Sequence, residues 1–175
     1  MTWFDMAPIA VAAGLGFLLG LEREIAGKPA GIRTHMIVAA GSAMLMLLSQ
    51  RIFDDFQGQQ PDQLLRSDPI RVLQAIVVGI SFLGAGTIVH DQHEGVEGLT
   101  TAATIYLTAG IGVAAAIGQT RLAIVVTVGG LVVLGIVGAL ERCIARWHRR
   151  NSQRVGESDR HIAPESRPSK DDSHE

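Results

Sequence analysis

Five uncharged, largely apolar runs alternate with polar segments along the chain: 6–21, 36–50, 72–89, 99–120 and 122–140, with 16, 15, 18, 22 and 19 residues. A helix of roughly 17–25 apolar residues crosses a bilayer, so the last three runs qualify outright. The first two need their flanks. Thr2, Trp3 and Phe4 supply an interfacial anchor before the first, and Thr34 and His35 extend the second. The pattern predicts helices over about 3–24, 33–49, 69–89, 100–118 and 120–141. A soluble protein could bury one such helix, but five within 1–140 would lack a polar covering layer. The expected fold is therefore all-α, a polytopic integral membrane bundle of about five transmembrane helices.

The polar segments set the expected orientation. Short loops rich in Lys and Arg stay cytoplasmic; Arg23, Lys28 and Arg33 follow the first run, and Arg142, Arg146, Arg149, Arg150 and Arg154 follow the fifth. The N-terminus is then outside and the C-terminus cytoplasmic. The second loop, with Asp54, Asp55, Asp62 and Asp68 against Arg51 and Arg66, suits the outer face. The N-terminal Met-Thr-Trp-Phe-Asp carries no basic residue, which argues against a cleaved signal peptide. Beyond the helices, 141–150 reads as a basic juxtamembrane extension with Trp147 at the headgroups, and 151–175 as a disordered tail, poor in aliphatic residues. Cys143 is the sole cysteine and forms no internal disulfide.

Composition adds that the chain is 47% hydrophobic over 175 residues, with 20 glycines, and this directs attention to where glycine and charge meet. Residues 20–35 hold six ionisable groups and three glycines between two apolar runs. Glu22, Arg23, Glu24, Lys28, Arg33, Thr34 and His35 are the expected polar cytoplasmic cap, with Gly27–Arg33 a structured turn broken by Pro29 and Gly31. Gly16, Gly20 and Glu24 follow at i+4 steps, so a close-packing face would lead into a carboxylate. At the mouth of the third helix Asp68 can cap and can pair with Arg71, and Pro69 suits the first helical position. Arg71, Ala75 and Gly79 share a face.

Further along, Gly84-Ala85-Gly86 is expected to weaken the third helix, so the segment belongs against protein. Gly79, Gly84 and Gly86 read either as close packing or as the joint of a broken transporter helix. Thr100 is the expected N-cap of the fourth helix; Thr101, Thr104 and Thr108 form a hydroxyl stripe that marks an interior face without establishing a pathway. Gly110, Ala114 and Gly118 are expected to form a packing ridge on that helix. Only Gln119-Thr120-Arg121 then separates it from the fifth, requiring an antiparallel hairpin with a lipid-facing last helix. No hydrolase, kinase, zinc-enzyme or dinucleotide motif is present, so no enzyme is expected.

Glu22-Arg23-Glu24, Gly27-Lys28-Pro29-Ala30-Gly31-Ile32-Arg33-Thr34-His35, Asp68-Pro69-Ile70-Arg71, Phe82-Leu83-Gly84-Ala85-Gly86 and Gly98-Leu99-Thr100-Thr101-Ala102-Ala103-Thr104 together resemble the MgtC/SapB membrane proteins. The likeness covers roughly 8–140, with Ser81 where the family leads one to expect glycine and Tyr106 where tryptophan is usual. It implies a multi-pass protein of the bacterial inner membrane, linked to magnesium limitation and envelope stress. Only a polar tail follows the fifth helix here, so the resemblance is SapB-like, without the MgtC C-terminal domain.

Two functions stay open on this reading. One is a regulatory or interaction protein whose opposite charges pair in the cap, as poorly solvated charges must; its partners would be the lipid bilayer and a second copy or another membrane protein. The alternative is a transporter or channel for Mg²⁺ or another cation, with Glu22, Glu24 and Asp68 as candidate metal ligands. Mg²⁺ wants about six oxygens in octahedral array, and three basic residues crowding the glutamates favour the first reading. No nucleic-acid partner and no cofactor are expected, Mg²⁺ apart.

Overall fold

The computed structural model describes residues 6–57, 69–91 and 95–160. Trp3, Phe4, Asp68 and the stretch 161–175 lie outside the described residues, as do the side chains of 141–160. In chain order the elements are α1 (Ala7–Ile25), α2 (Ile32–Gln57), α3 (Pro69–Thr87), β1 (Val89–Asp91), β2 (Gly95–Glu97), α4 (Leu99–Ala116) and α5 (Thr120–Arg160). The two strands form one small antiparallel pair, with Val89 opposite Glu97 and His90 opposite Val96.

Among the described residues, four segments are long and apolar enough to cross a bilayer: Ile32–Asp54, Ile70–Thr87, Leu99–Ala116 and Thr120–Leu140. The remaining helix, α1, is apolar as far as Leu21 and carries Glu22, Arg23 and Glu24 in its last turn before Ile25. Large apolar side chains cover the outside of the bundle; Phe82 is 84% exposed, Ile37 71% and Val78 69%. Leaving so many in water would forgo about 25 cal/mol for each Å² of apolar surface. In lipid they cost nothing, and the chain is an all-α membrane bundle.

What fills the interior is small. Ala12, Ala39, Ala43, Ala109, Ala115 and Ala116 form a cluster with Met46, Ile76 and Val113, and a second cluster joins Leu19, Ile111, Ala114 and Ala123. Helices meeting through alanine and glycine come close enough for backbone contact, which is how membrane helices associate without a hydrophobic drive. The most extensive packing joins α1 to α2 and α2 to α4. Ala123 and Thr127 turn inward from α5, while Val125, Val128, Val132 and Val133 on its other faces are exposed.

The elements differ from the sequence expectation in four places. First, α2 continues past residue 49 to Gln57; Arg51 and Asp54 can point outward from a helix whose Ile52 and Phe53 extend the apolar pattern, so charge alone does not end it. Second, α3 is unbroken through Gly84-Ala85-Gly86, because in lipid each backbone hydrogen bond is too costly to lose. Third, the strand pair occupies a stretch for which only a loop was expected. Fourth, α5 continues to Arg160, so the helix runs through the expected juxtamembrane extension 141–150 and on through 151–160, where a tail without order was expected. The chain divides after Gly135 into two compact units; the second, from Ile136, consists in its described part of the remainder of α5.

Candidate functional site

The polar centre begins where α1 stops. The N–H of Lys28 bonds the carbonyl of Arg23 at 3.0 Å and that of Gly27 bonds Glu24 at 3.1 Å, the paired bonds of a Schellman ending. Gly27 takes the left-handed conformation this ending requires, with φ +68. The chain turns through Pro29 and Ala30 and re-enters a helix at Ile32.

Glu24 supplies the start of α2. Its Oε2 accepts the N–H of Ile32 at 2.9 Å, and a carboxylate at a helix N-terminus satisfies an orphan donor and complements the dipole. Gly31 makes room for it: a Cβ there would lie 2.5 Å from Glu24 Oε2. The last turn of α1 is thereby tied to the first turn of α2.

The buried stripe of α1 is Ala12, Gly16, Leu19, Gly20 and Arg23, so it ends on the arginine rather than on Glu24. Both glycines of that stripe meet α2. A Cβ on Gly16 would lie 2.5 Å from the carbonyl oxygen of His35, and one on Gly20 would lie 2.6 Å from the Cα of Ile32. Arg23 is only 3% exposed. Its Nη1 lies 3.8 Å from Glu22 Oε2, while Nε and Nη2 have no hydrogen-bond partner. His35 is fully buried; its Nδ1 donates to the carbonyl of Gly31 at 2.9 Å, and Nε2 has no partner.

The expected seven-residue cap is therefore two clusters. Glu22, Arg23 and His35 face inward, whereas Glu24, Lys28, Arg33 and Thr34 line an outer cavity of about 520 Å³ with Pro29 and Gly31. A mutually neutralised lid is not what forms: Glu22 with Arg23 is the ion pair of this cap, and Lys28 and Arg33 pair with no acid among the described residues. The reason is helical geometry, since Glu22 and Glu24 sit about 200° apart around α1.

A second cavity, of about 500 Å³, brings distant parts of the chain to Arg23. Its lining includes Arg23, Lys28, Thr87, Glu97, Thr100 and Thr101, together with Gly27, Pro29, Gly98 and Leu99. Gly98, with φ +86, is the N-cap of α4, and α4 has no side-chain cap; Thr100, the expected cap, lies within the helix and is exposed. A Cβ on Gly98 would overlap the carbonyl of Thr87, so glycine alone lets the end of α3 approach the start of α4 this closely.

The remaining singled-out residues are spread along the bundle. Thr101 is buried, Thr104 donates to the carbonyl of Thr101 at 2.9 Å and Thr108 to that of Thr104 at 2.8 Å. Gly84 faces Ala102 of α4, a Cβ there meeting the alanine methyl at an ordinary 3.5 Å, whereas Gly79 and Gly86 have nothing within 4 Å. Arg71 is exposed on α3, and its expected partner Asp68 lies outside the described residues. No three His, Cys, Asp or Glu side chains gather into a metal-binding group among the described residues.

Sequence reasoning missed Gly112. A Cβ on it would overlap the carbonyl of Ala39, making it the contact point of α4 on α2, while Gly110 is exposed with nothing near and Gly118 sits in the turn after α4. The signal was present, because the threonine stripe 101, 104, 108 continues at the next i+4 step to Gly112. Glu97 was also missed, since its strand was not expected.

A helical membrane bundle whose first interhelical turn carries buried charge and whose helices join through alanine and glycine is the class these features define. The chain belongs to the MgtC family, whose model matches residues 9–143. It is 39% identical over 127 residues to the "Putative magnesium transporter YhiD" of Escherichia coli strain K12, covering 73% of this chain and 56% of that protein. It is 40% identical over 114 residues to "Protein MgtC" of Salmonella typhimurium, covering 65% and 44%, and 34% identical over 110 residues to "Protein SapB" of Bacillus subtilis, covering 63% and 46%. The chain thus spans about half the length of these curated relatives. No solved structure matches it.

Proposed function

We propose that this protein acts in the bacterial inner membrane, with its N-terminus outside and its C-terminus in the cytoplasm, as a regulatory or interaction protein linked to magnesium limitation or envelope stress. It is not an enzyme on this reading, and its partner is a second copy or another membrane protein. The observation that carries the reading is the separate employment of the candidate cation ligands. Glu22 lies beside Arg23, Glu24 caps α2, and the two point to different sides of α1. The hydroxyls of Thr104 and Thr108 are donated to their own helix, and Gly112 seats α4 directly on the backbone of α2. Among α1, α2 and α4 an ion would meet helices already in backbone contact at Gly16, Gly20 and Gly112. Outward-facing Gly79 and Gly86 on α3 leave a face against which another helix could pack closely.

The second reading, transport of Mg²⁺, is favoured by the name of the Escherichia coli relative, "Putative magnesium transporter YhiD". Mg²⁺ flux into liposomes holding the purified protein separates the two, with Glu24→Gln and Asp68→Asn alongside. No flux above empty liposomes, together with a partner captured by crosslinking in the membrane, is expected. Flux lost in either carboxylate variant would reverse the assignment.

A further inference from the structure

The cavity under the first loop holds an arrangement that neither the regulatory nor the transport reading uses. Arg23 is buried at its edge, its Nη1 3.8 Å from Glu22 Oε2 and its Nε and Nη2 without a hydrogen-bond partner. A buried guanidinium left with free N–H groups carries a desolvation penalty that a protein rarely accepts without return. The same cavity is lined by Leu99, Thr100 and Thr101, the first turn of an 18-residue helix with no side-chain cap. First-turn N–H groups have no partner within their own helix, and they sit at the positive end of its dipole. Lys28 adds a second cation at the rim.

The geometry points to a binding site for a phosphoryl oxyanion, held by Arg23 and Lys28 over the N-terminus of α4. Arginine suits such a ligand because its planar fork can donate two parallel bonds to two oxygens. A helix N-terminus receives the remaining oxygen charge through backbone N–H groups. Gly98 sets the place, since its contact with the carbonyl of Thr87 fixes where α4 begins. Glu97 also lines the cavity and opposes an anion, so it limits affinity and gives the electrostatics a testable sign. The phosphoryl group can come from inorganic phosphate in solution or from the headgroup of an anionic lipid. Both present the same oxygens, and the site is independent of whether the protein moves cations.

The full chain in a neutral detergent is titrated with inorganic phosphate by calorimetry. The chain in nanodiscs of mixed phosphatidylglycerol and phosphatidylcholine is examined by native mass spectrometry for retained lipid. At least one arm is expected to respond, and the one that does identifies the source. Arg23→Gln should weaken binding about tenfold or more. Because Arg23→Gln also removes a buried side chain paired with Glu22, Lys28→Gln and Glu97→Gln carry the test alone from exposed positions. The first should weaken binding and the second strengthen it, each by about threefold. Binding in neither arm, or binding that both exposed variants leave unchanged, or weaker binding in Glu97→Gln, would overturn the site.

Discussion

α3 and α4 both carry glycines within apolar spans, and the bundle uses them differently. On α4, Gly112 stands where the carbonyl of Ala39 leaves no space for a methyl group. On α3, Gly79 and Gly86 face open space and Gly84 makes only ordinary contact. Glycine in a membrane helix therefore marks close approach only where the backbone of the opposite helix reaches it. The carbonyl of Ala39 reaches Gly112, while Gly79 lines a groove of about 350 Å³ between α2 and α3, together with Gly41, Ser42 and Ala75 as well as larger side chains such as Ile37 and Leu45.

That contrast can be broken by substitution. Gly112→Ala should have the largest effect, destabilising by about 3 kcal/mol, since backbone on α2 or α4 must move to admit the methyl; thermal unfolding in detergent reads it. Gly16→Ala should cost about 2 kcal/mol, because its Cβ would meet both the carbonyl of His35 and the methyl of Ala39. Gly79→Ala should be neutral or stabilising by about 0.5 kcal/mol or less, the gain coming from helix propensity alone. A loss at Gly79 equal to that at Gly112 would show that α3 is packed against something as tightly as α4 is.

Much of the bundle was legible from the runs of apolar residues, because lipid demands length and the absence of charge. The turn of residues 27–31 was legible too, from glycine and proline spacing. The roles of individual charges were not. Opposite charges close in sequence suggested a mutually paired lid, but 100° of rotation per residue sends Arg23 inward and Glu24 outward. Sequence spacing could place Gly16 and Gly20 on one face, and a shift of one residue at the next step decided whether arginine or glutamate ended it. Gly112 was lost for a related reason: two candidate ridges run along α4, and only the identity of the helix opposite distinguishes them.

The connection between α4 and α5 has a consequence for experiment. Gln119 donates its N–H to the carbonyl of Ala114, and its own carbonyl accepts the N–H of Ala123, so the reversal is complete within Ile117, Gly118 and Gln119. Two spans joined so briefly have no slack to cross in the same sense. A single accessibility label placed on Gln119 would therefore report the sidedness of both at once, and, by alternation, the compartment into which the arginine-rich end of α5 emerges.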